Sequence, residues 1–236
     1  MTPKAEDRLW LIWQDPQTCL RHAIGELWRD QGNYYFQYNE EKLKEAEKNG
    51  CLPHPAFPDI RKQYESDQLF NAFARRLPNK KRPDYRDILS KYALTVDSDD
   101  FAILSATGGK LVTDYFEFAK VMANCDNQSF QHDFYVAGWK YWGAKGNFGV
   151  NDFAQGERLN LVHEENNLFD PFALRIFSEN GVKIGYVPAF YSRDIGHYLA
   201  KHCGIEVCVI TFEPNAESDK VMKVRITCES TCVHAV

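Results

Sequence analysis

The sequence predicts an α+β chain in two parts: a mixed β-hairpin and helical domain, then a small β-barrel carrying one helix. Three observations lead there. The apolar spacing changes along the chain, from aromatic hairpins and helical stripes before residue 123 to strict alternation after residue 132. A polar stretch with neither period, NCDNQSFQH at 124–132, lies between them. The second part then offers five or six short strand patterns and a single helical stripe, the pattern of a closed or nearly closed barrel. The implied division is 1–123, a linker at 124–131, and 132–236.

The elements follow in order. RLWLIW at 8–13 is apolar and β-friendly. Residues 23–39 hold two aromatic-rich runs around Asp30-Gln31-Gly32, a hairpin signal. EEKLKEAEKNG at 40–50 reads as a short polar helix closed by Gly50, and the proline-rich 51–58 as extended chain. Leu69, Phe70, Phe73 and Leu77 predict a helix over 66–77 with Ser66 as its cap. Tyr85, Ile88, Leu89 and Tyr92 predict a second helix behind Pro83 and Asp84. SDDFAILSATGG at 98–109 is a capped helix stopped by two glycines, and 114–125 favours helix. Beyond the linker, FALRIF, VKIGYV, IEVCVITF and KVMKVRIT are strands. Asn180-Gly181 signals a type I′ turn between the first two, and Tyr191, Ile195, Tyr198 and Leu199 mark a helix near 189–202.

Composition narrows the function. Of 236 residues, 44% are apolar and 14% aromatic, which supports a core and excludes a disordered chain. No apolar run approaches the roughly 20 residues of a membrane helix. The polar opening MTPKAEDRLW carries no secretory pattern, so the expected compartment is the cytoplasm. Seven scattered cysteines read as free thiols. The alternative is zinc held by Cys203, Cys208, Cys228, Cys232 and His234, at spacings that do not match a C-x2-C knuckle. Residues 1–131 carry 18 basic and 20 acidic side chains, and 132–236 carry 10 and 13, so neither part grips nucleic acid by bulk charge. The one dense basic run, RRLPNKKRPDYR at 75–86, is either a strand track or a solvated connection.

Three stretches of the second part, VAGWKYWG at 136–143, LVHEENNLFDPFALRIF at 161–177 and GVKIGYVPAFYSRDIGHYLA at 181–200, resemble a HIRAN domain. The first part resembles the N-terminal subdomain of HipA-type serine/threonine kinases, through IGELWRDQGNYYFQYN and the run from LFNAFARRLP to SATGG. A kinase would need a Gly-rich phosphate loop and an H-x-D-x-x-x-x-N run. The chain has neither, so neither a cofactor nor an enzymatic role is expected.

The HIRAN resemblance implies an OB-like barrel that recognises the 3′ end of single-stranded DNA. A free 3′ hydroxyl can donate to a carboxylate, which would repel a phosphate in the same place. Aromatic rings stack on the last bases, and a cation holds a phosphate. The resemblance assigns Asp170 to the hydroxyl, Phe169, Tyr141, Trp142 and Tyr186 to the bases, and Lys140 to a phosphate. Each has a structural alternative: a turn cap for Asp170, a cluster covering the barrel end for Tyr141 and Trp142, core packing for Tyr186, a solvated charge for Lys140. Phe169 departs from the family's tyrosine and Ala189 from its basic residue. The HipA resemblance implies a HipA-type kinase polypeptide as a partner, in a toxin–antitoxin setting. Two other readings remain: a pure protein-interaction module without DNA binding, and a nuclease using Glu164, Glu165 and Asp170 with magnesium.

Overall fold

The computed structural model describes residues 4–122, 129–146, 148–149, 152–201, 204–216 and 219–229. Contacts divide it into two compact units, Met1–Val121 and Met122–Val236. Residues 124–128 of the expected linker lie outside the described residues, and Phe130 and Gln131 already belong to a strand.

The first unit runs β1 (Arg8–Gln14), β2 (Arg21–Asp30), β3 (Asn33–Tyr38), α1 (Glu40–Glu47), β4 (Tyr64–Ser66), α2 (Asn71–Ala74), α3 (Tyr85–Ser90), α4 (Asp100–Thr107) and β5 (Phe116–Lys120). Its sheet has the order β4-β3-β2-β1-β5. The β2–β3 turn is the expected tight hairpin: Gln31 and Gly32 both take positive φ and Asp30 pairs with Asn33. The Asn39 side chain accepts from Lys42 N and starts α1, and Asp99 accepts from Ala102 N and starts α4. Leu9, Leu11, Ile24, Leu27, Phe36, Phe73 and Leu104 fill the core, each burial worth about 1.5–3 kcal/mol.

Three expectations fail in this unit, each to a competing contact. The helix expected over 66–77 shrinks to α2. Ser66 ends β4 on the edge of β3, and its Oγ accepts from Gln68 N instead of capping a helix. The stripe itself is real, since Leu69 and Phe73 are buried. Residues 114–122 give β5 rather than helix, and 123–125 of the expected helix lie outside the described residues: the open edge of β1 takes Phe116–Lys120 as a strand, and Phe118 stacks edge-on against Phe73 at 4.9 Å. Asp84 stands at the cap position of α3, but its carboxylate goes to Arg82. Of the six cations of the basic run only Arg76 is buried, and Arg76, Lys80 and Arg82 face acidic partners. Arg76 is buried, donates to the carbonyls of Gly109 and Phe116 at 2.9 Å, and pairs with Asp114. Lys80 holds Asp100 at 3.2 Å.

The second unit runs β6 (Phe130–Tyr135), β7 (Arg158–His163), β8 (Leu174–Phe177), β9 (Lys183–Tyr186), α5 (Ala189–Ala200), β10 (Gly204–Phe212) and β11 (Met222–Glu229). The six strands pair antiparallel in the order β6-β11-β10-β7-β8-β9. The sheet curls so that its ends meet just past β6. Val136 N donates to Met222 O at 2.9 Å, while Ala137 and Tyr186 exchange two backbone bonds of 2.8 and 2.9 Å. Phe134, Val136, Leu174, Ile176, Ile184, Val224 and Ile226 are buried. The α5 helix lays Tyr191, Ile195 and Tyr198 inward, with Tyr191 4.5 Å from the His132 ring. The β8–β9 turn departs from the expected type I′. Gly181 takes positive φ while Asn180 does not, and Ser178 exchanges bonds with Gly181 and Val182. This is a longer loop with a bulge, matched by the register shift after Ile176.

Four of the seven cysteines can be described: Cys51 and Cys228 buried, Cys208 half-buried, Cys19 exposed, all as thiols. Burial pushes the Cys51 thiol up to about 12, the proximity of Glu47 adding to it. Among the described residues no cluster of metal-ligating side chains occurs. Cys203, Cys232 and His234 of the zinc alternative lie outside them. No helix among the described residues is long and apolar enough to cross a membrane.

Candidate nucleic-acid interface

The closure of the barrel places the candidate residues. Gly185 faces the junction, where a Cβ would come within 2.5 Å of Ala137 O and of Val136 Cγ1. Only glycine lets β9 approach the end of the first strand so closely. Directly after the junction Gly138 takes positive φ and turns the chain out of the barrel. Tyr141 N and Trp142 N both donate back to Gly138 O, at 3.0 and 3.3 Å. Trp139 is buried against Phe212 at 5.3 Å and anchors this loop. Lys140, Tyr141 and Trp142 then face solvent, Tyr141 59% and Trp142 38% exposed.

The second loop, between β7 and β8, is built by the residues of the Glu-x-x-Asn-x-aromatic-Asp run. Asn167 Oδ1 accepts from the backbone N–H of both Phe169 and Asp170 at 2.9 Å, and its amide donates to Glu164 at 2.8 Å. Asp170 Oδ1 accepts from Phe172 N at 2.9 Å, an Asx turn. His163 Nε2 meets Pro171 O at 3.0 Å. Phe169 is left 65% exposed at the tip. The turn-cap role of Asp170 is therefore real. It holds the carboxylate in place through the backbone N–H of Phe172.

A chain of contacts links the two loops. Lys183 Nζ donates to the Tyr186 hydroxyl at 2.6 Å, and sits 3.5 Å from the Trp142 ring centroid and 4.1 Å from that of Tyr186. Trp142 and Tyr186 meet edge to face at 6.3 Å. The Tyr186 hydroxyl bonds to Glu164, which Arg175 faces at 3.7 Å. The Asn167 amide, then the Tyr186 hydroxyl and the charges of Lys183 and Arg175, hold the Glu164 carboxyl below its usual range against its own desolvation. Burial and Glu164 push the Tyr186 phenol up to about 12. Desolvation lowers Lys183, partly offset by Glu164.

Thus Trp142 and Tyr186 are brought together, and the Asn167 turn that carries Phe169 and Asp170 is joined to them through Glu164. Lys140 and Tyr141 stand on the same loop as Trp142, outside that network. Sequence reasoning missed Lys183. It reaches along β9 to Tyr186, and strand alternation gives no signal for such a reach. Glu164 and Asn167 were visible in the motif, but their role as loop builders was not. Glu164, one of the three acids of the nuclease alternative, is committed to Asn167, Tyr186 and Arg175.

Comparison with known families agrees with this layout. The HIRAN domain family model matches residues 129–231, and the HipA N-terminal domain model matches residues 19–112. The chain joins a HipA N-terminal domain to a HIRAN domain. Two solved structures resemble it. One is the HIRAN domain of human HLTF, 18% identical, covering 44% of this chain and 80% of that one with a TM-score of 0.33. The other is a protein from Lactobacillus plantarum, 13% identical, covering 42% of this chain and 96% of that one with a TM-score of 0.35. No curated protein matches the chain. The HIRAN domain thus spans the barrel, α5 and both loops of the site.

Proposed function

We propose that the HIRAN domain binds the 3′ end of single-stranded DNA, and that the chain acts without catalysis, as a cytoplasmic docking protein. The observation that carries this reading is the set of exposed rings on two adjacent loops, Tyr141, Trp142 and Phe169, beside a carboxylate fixed by its own turn. Single strands are held by stacking, at roughly 1–3 kcal/mol per base and with little regard for sequence. The last bases pack on Tyr141 and Phe169 and on the surface of Trp142 that Lys183 leaves uncovered. Asp170 accepts from the terminal hydroxyl and repels a terminal phosphate. Lys183 and Lys140 supply the cations nearest these rings, and Lys183 compensates for the uncharged Ala189. With few cations engaged, affinity is modest and its salt slope shallow.

Fluorescence anisotropy with a 5′-labelled oligonucleotide tests this. A 3′-hydroxyl strand binds, while a 3′-phosphate version and a blunt duplex bind at least tenfold more weakly. Asp170→Asn narrows the gap between hydroxyl and phosphate. Equal binding to all three probes would refute end recognition.

A second reading, in which the chain is an interaction module only, draws on the first unit. The outer face of its sheet has a recess of about 370 Å³ lined by Arg8, Trp10, Glu26, Trp28 and Lys42. Trp28 stacks on Tyr35 at 5.5 Å and Lys42 lies 5.3 Å over Trp10. This suits docking of a HipA-type kinase polypeptide that lacks its own N-terminal subdomain. Co-migration of the two purified chains in gel filtration supports it, and separate elution contradicts it.

A further inference from the structure

A second recess of the HIRAN domain, about 680 Å³, lies between α5 and the strands β7 and β8, next to the 164–173 loop. Its apolar lining includes Leu161, Leu174 and Leu199. On its rim Phe172 is 44% exposed, and the guanidinium of the exposed Arg193 lies 5.4 Å over its ring. That guanidinium makes no ion pair among the described residues. His163 also lines the recess. Its Nε2 is taken by Pro171 O, so with Nε2 donating, a neutral ring presents Nδ1 as an acceptor. The acid in the lining is Asp194, and His197 adds a second imidazole.

We infer that this recess is a nucleobase subsite, taking a base of the same single strand two or three nucleotides in from its 3′ end. The inference rests on the end-binding reading and extends it. A recess floored by leucines with an aromatic ring on its rim fits a base, and Arg193 beside it fits the adjoining phosphate. His163 in the lining offers an acceptor to the donor groups of a base edge. Continuity with the end site follows from the chain: Phe172 is two residues past Asp170, so their Cα atoms lie at most about 7 Å apart. A strand whose terminal hydroxyl meets Asp170 therefore has its next nucleotides within reach of Phe172.

The test uses the full chain and 5′-labelled oligothymidylates of two, three, four and six nucleotides, all with 3′ hydroxyls. The wild type gains affinity steeply between two and four nucleotides. Phe172→Ala and Arg193→Ala leave the dinucleotide unchanged; Phe172→Ala lowers affinity for the tetramer by roughly 5- to 150-fold, the range of one lost base stack, and Arg193→Ala lowers it and makes its salt dependence shallower. Both side chains are on the surface, and Arg193→Ala leaves the apolar floor intact, so a folding defect in one variant does not protect the idea. Asp170→Asn weakens every length alike. An unchanged length dependence in both recess variants, while Asp170→Asn still weakens binding, overturns the subsite and leaves end recognition standing. Failure of the wild type to bind any length overturns both.

Discussion

Gly185→Ala tests the junction on which the site stands. The added methyl would lie 2.5 Å from Ala137 O and from Val136 Cγ1. The valine can rotate but the carbonyl cannot, because Ala137 is held by both of its bonds to Tyr186. Overpacking a closed junction costs about 1–3 kcal/mol. Loss of the two Ala137–Tyr186 bonds adds about 0.5–1.5 kcal/mol each. The expected destabilisation is thus about 2–6 kcal/mol. At a urea slope of about 2 kcal/mol/M, the midpoint of the HIRAN unit falls by roughly 1–3 M. Urea melts followed by circular dichroism read this directly. Gly196→Ala is the control: it lies within α5 with nothing within 4 Å of the added methyl. It should raise stability by about 0.5–1 kcal/mol. A Gly185→Ala protein that unfolds at the wild-type midpoint would refute the close approach, and with it the account of how Tyr186 and the Trp142 loop are set.

Lys183→Met removes the cation held between Trp142 and Tyr186. Plots of log affinity against log salt for a single strand should lose about 0.7 of slope, and an unchanged slope would mean that Lys183 meets no phosphate. Glu164→Gln should lower stability at pH 7 by of order 1 kcal/mol through weaker bonds to Asn167 and Tyr186. A carboxyl held low in the folded chain stabilises above its unfolded value near 4.5, and that contribution fades as pH falls through its folded value. The difference between wild type and Glu164→Gln in urea midpoint should therefore shrink below about pH 4.5. A difference that persists at pH 3 would contradict the network.

What the sequence disclosed depended on whether one local signal decided the outcome. The Gln31-Gly32 turn, the capped helix stopped by two glycines, and the alternating strands of the second unit are local, and all formed as read. Residues 114–125 were not decided locally. Phe116 and Phe118 suit a strand, Tyr115, Phe118 and Met122 suit a helix, and the unpaired edge of β1 broke the tie. Likewise Ser66 could cap a helix or end a strand, and the edge of β3 took it. In the site, Tyr141, Trp142 and Phe169 were assigned through the HIRAN resemblance, and they are exposed. The Asn167 and Glu164 scaffold, the reach of Lys183 and the position of Arg193 over Phe172 are contacts between elements, which no spacing along the chain encodes.

The most direct measurement of the central claim compares a linear single strand with a ligated circle of the same sequence, which presents the same bases and phosphates but no terminus. In competition against a labelled linear probe, the unlabelled linear strand should displace it and the circle should fail to at tenfold higher concentration. Equal displacement by the circle would contradict recognition of the end.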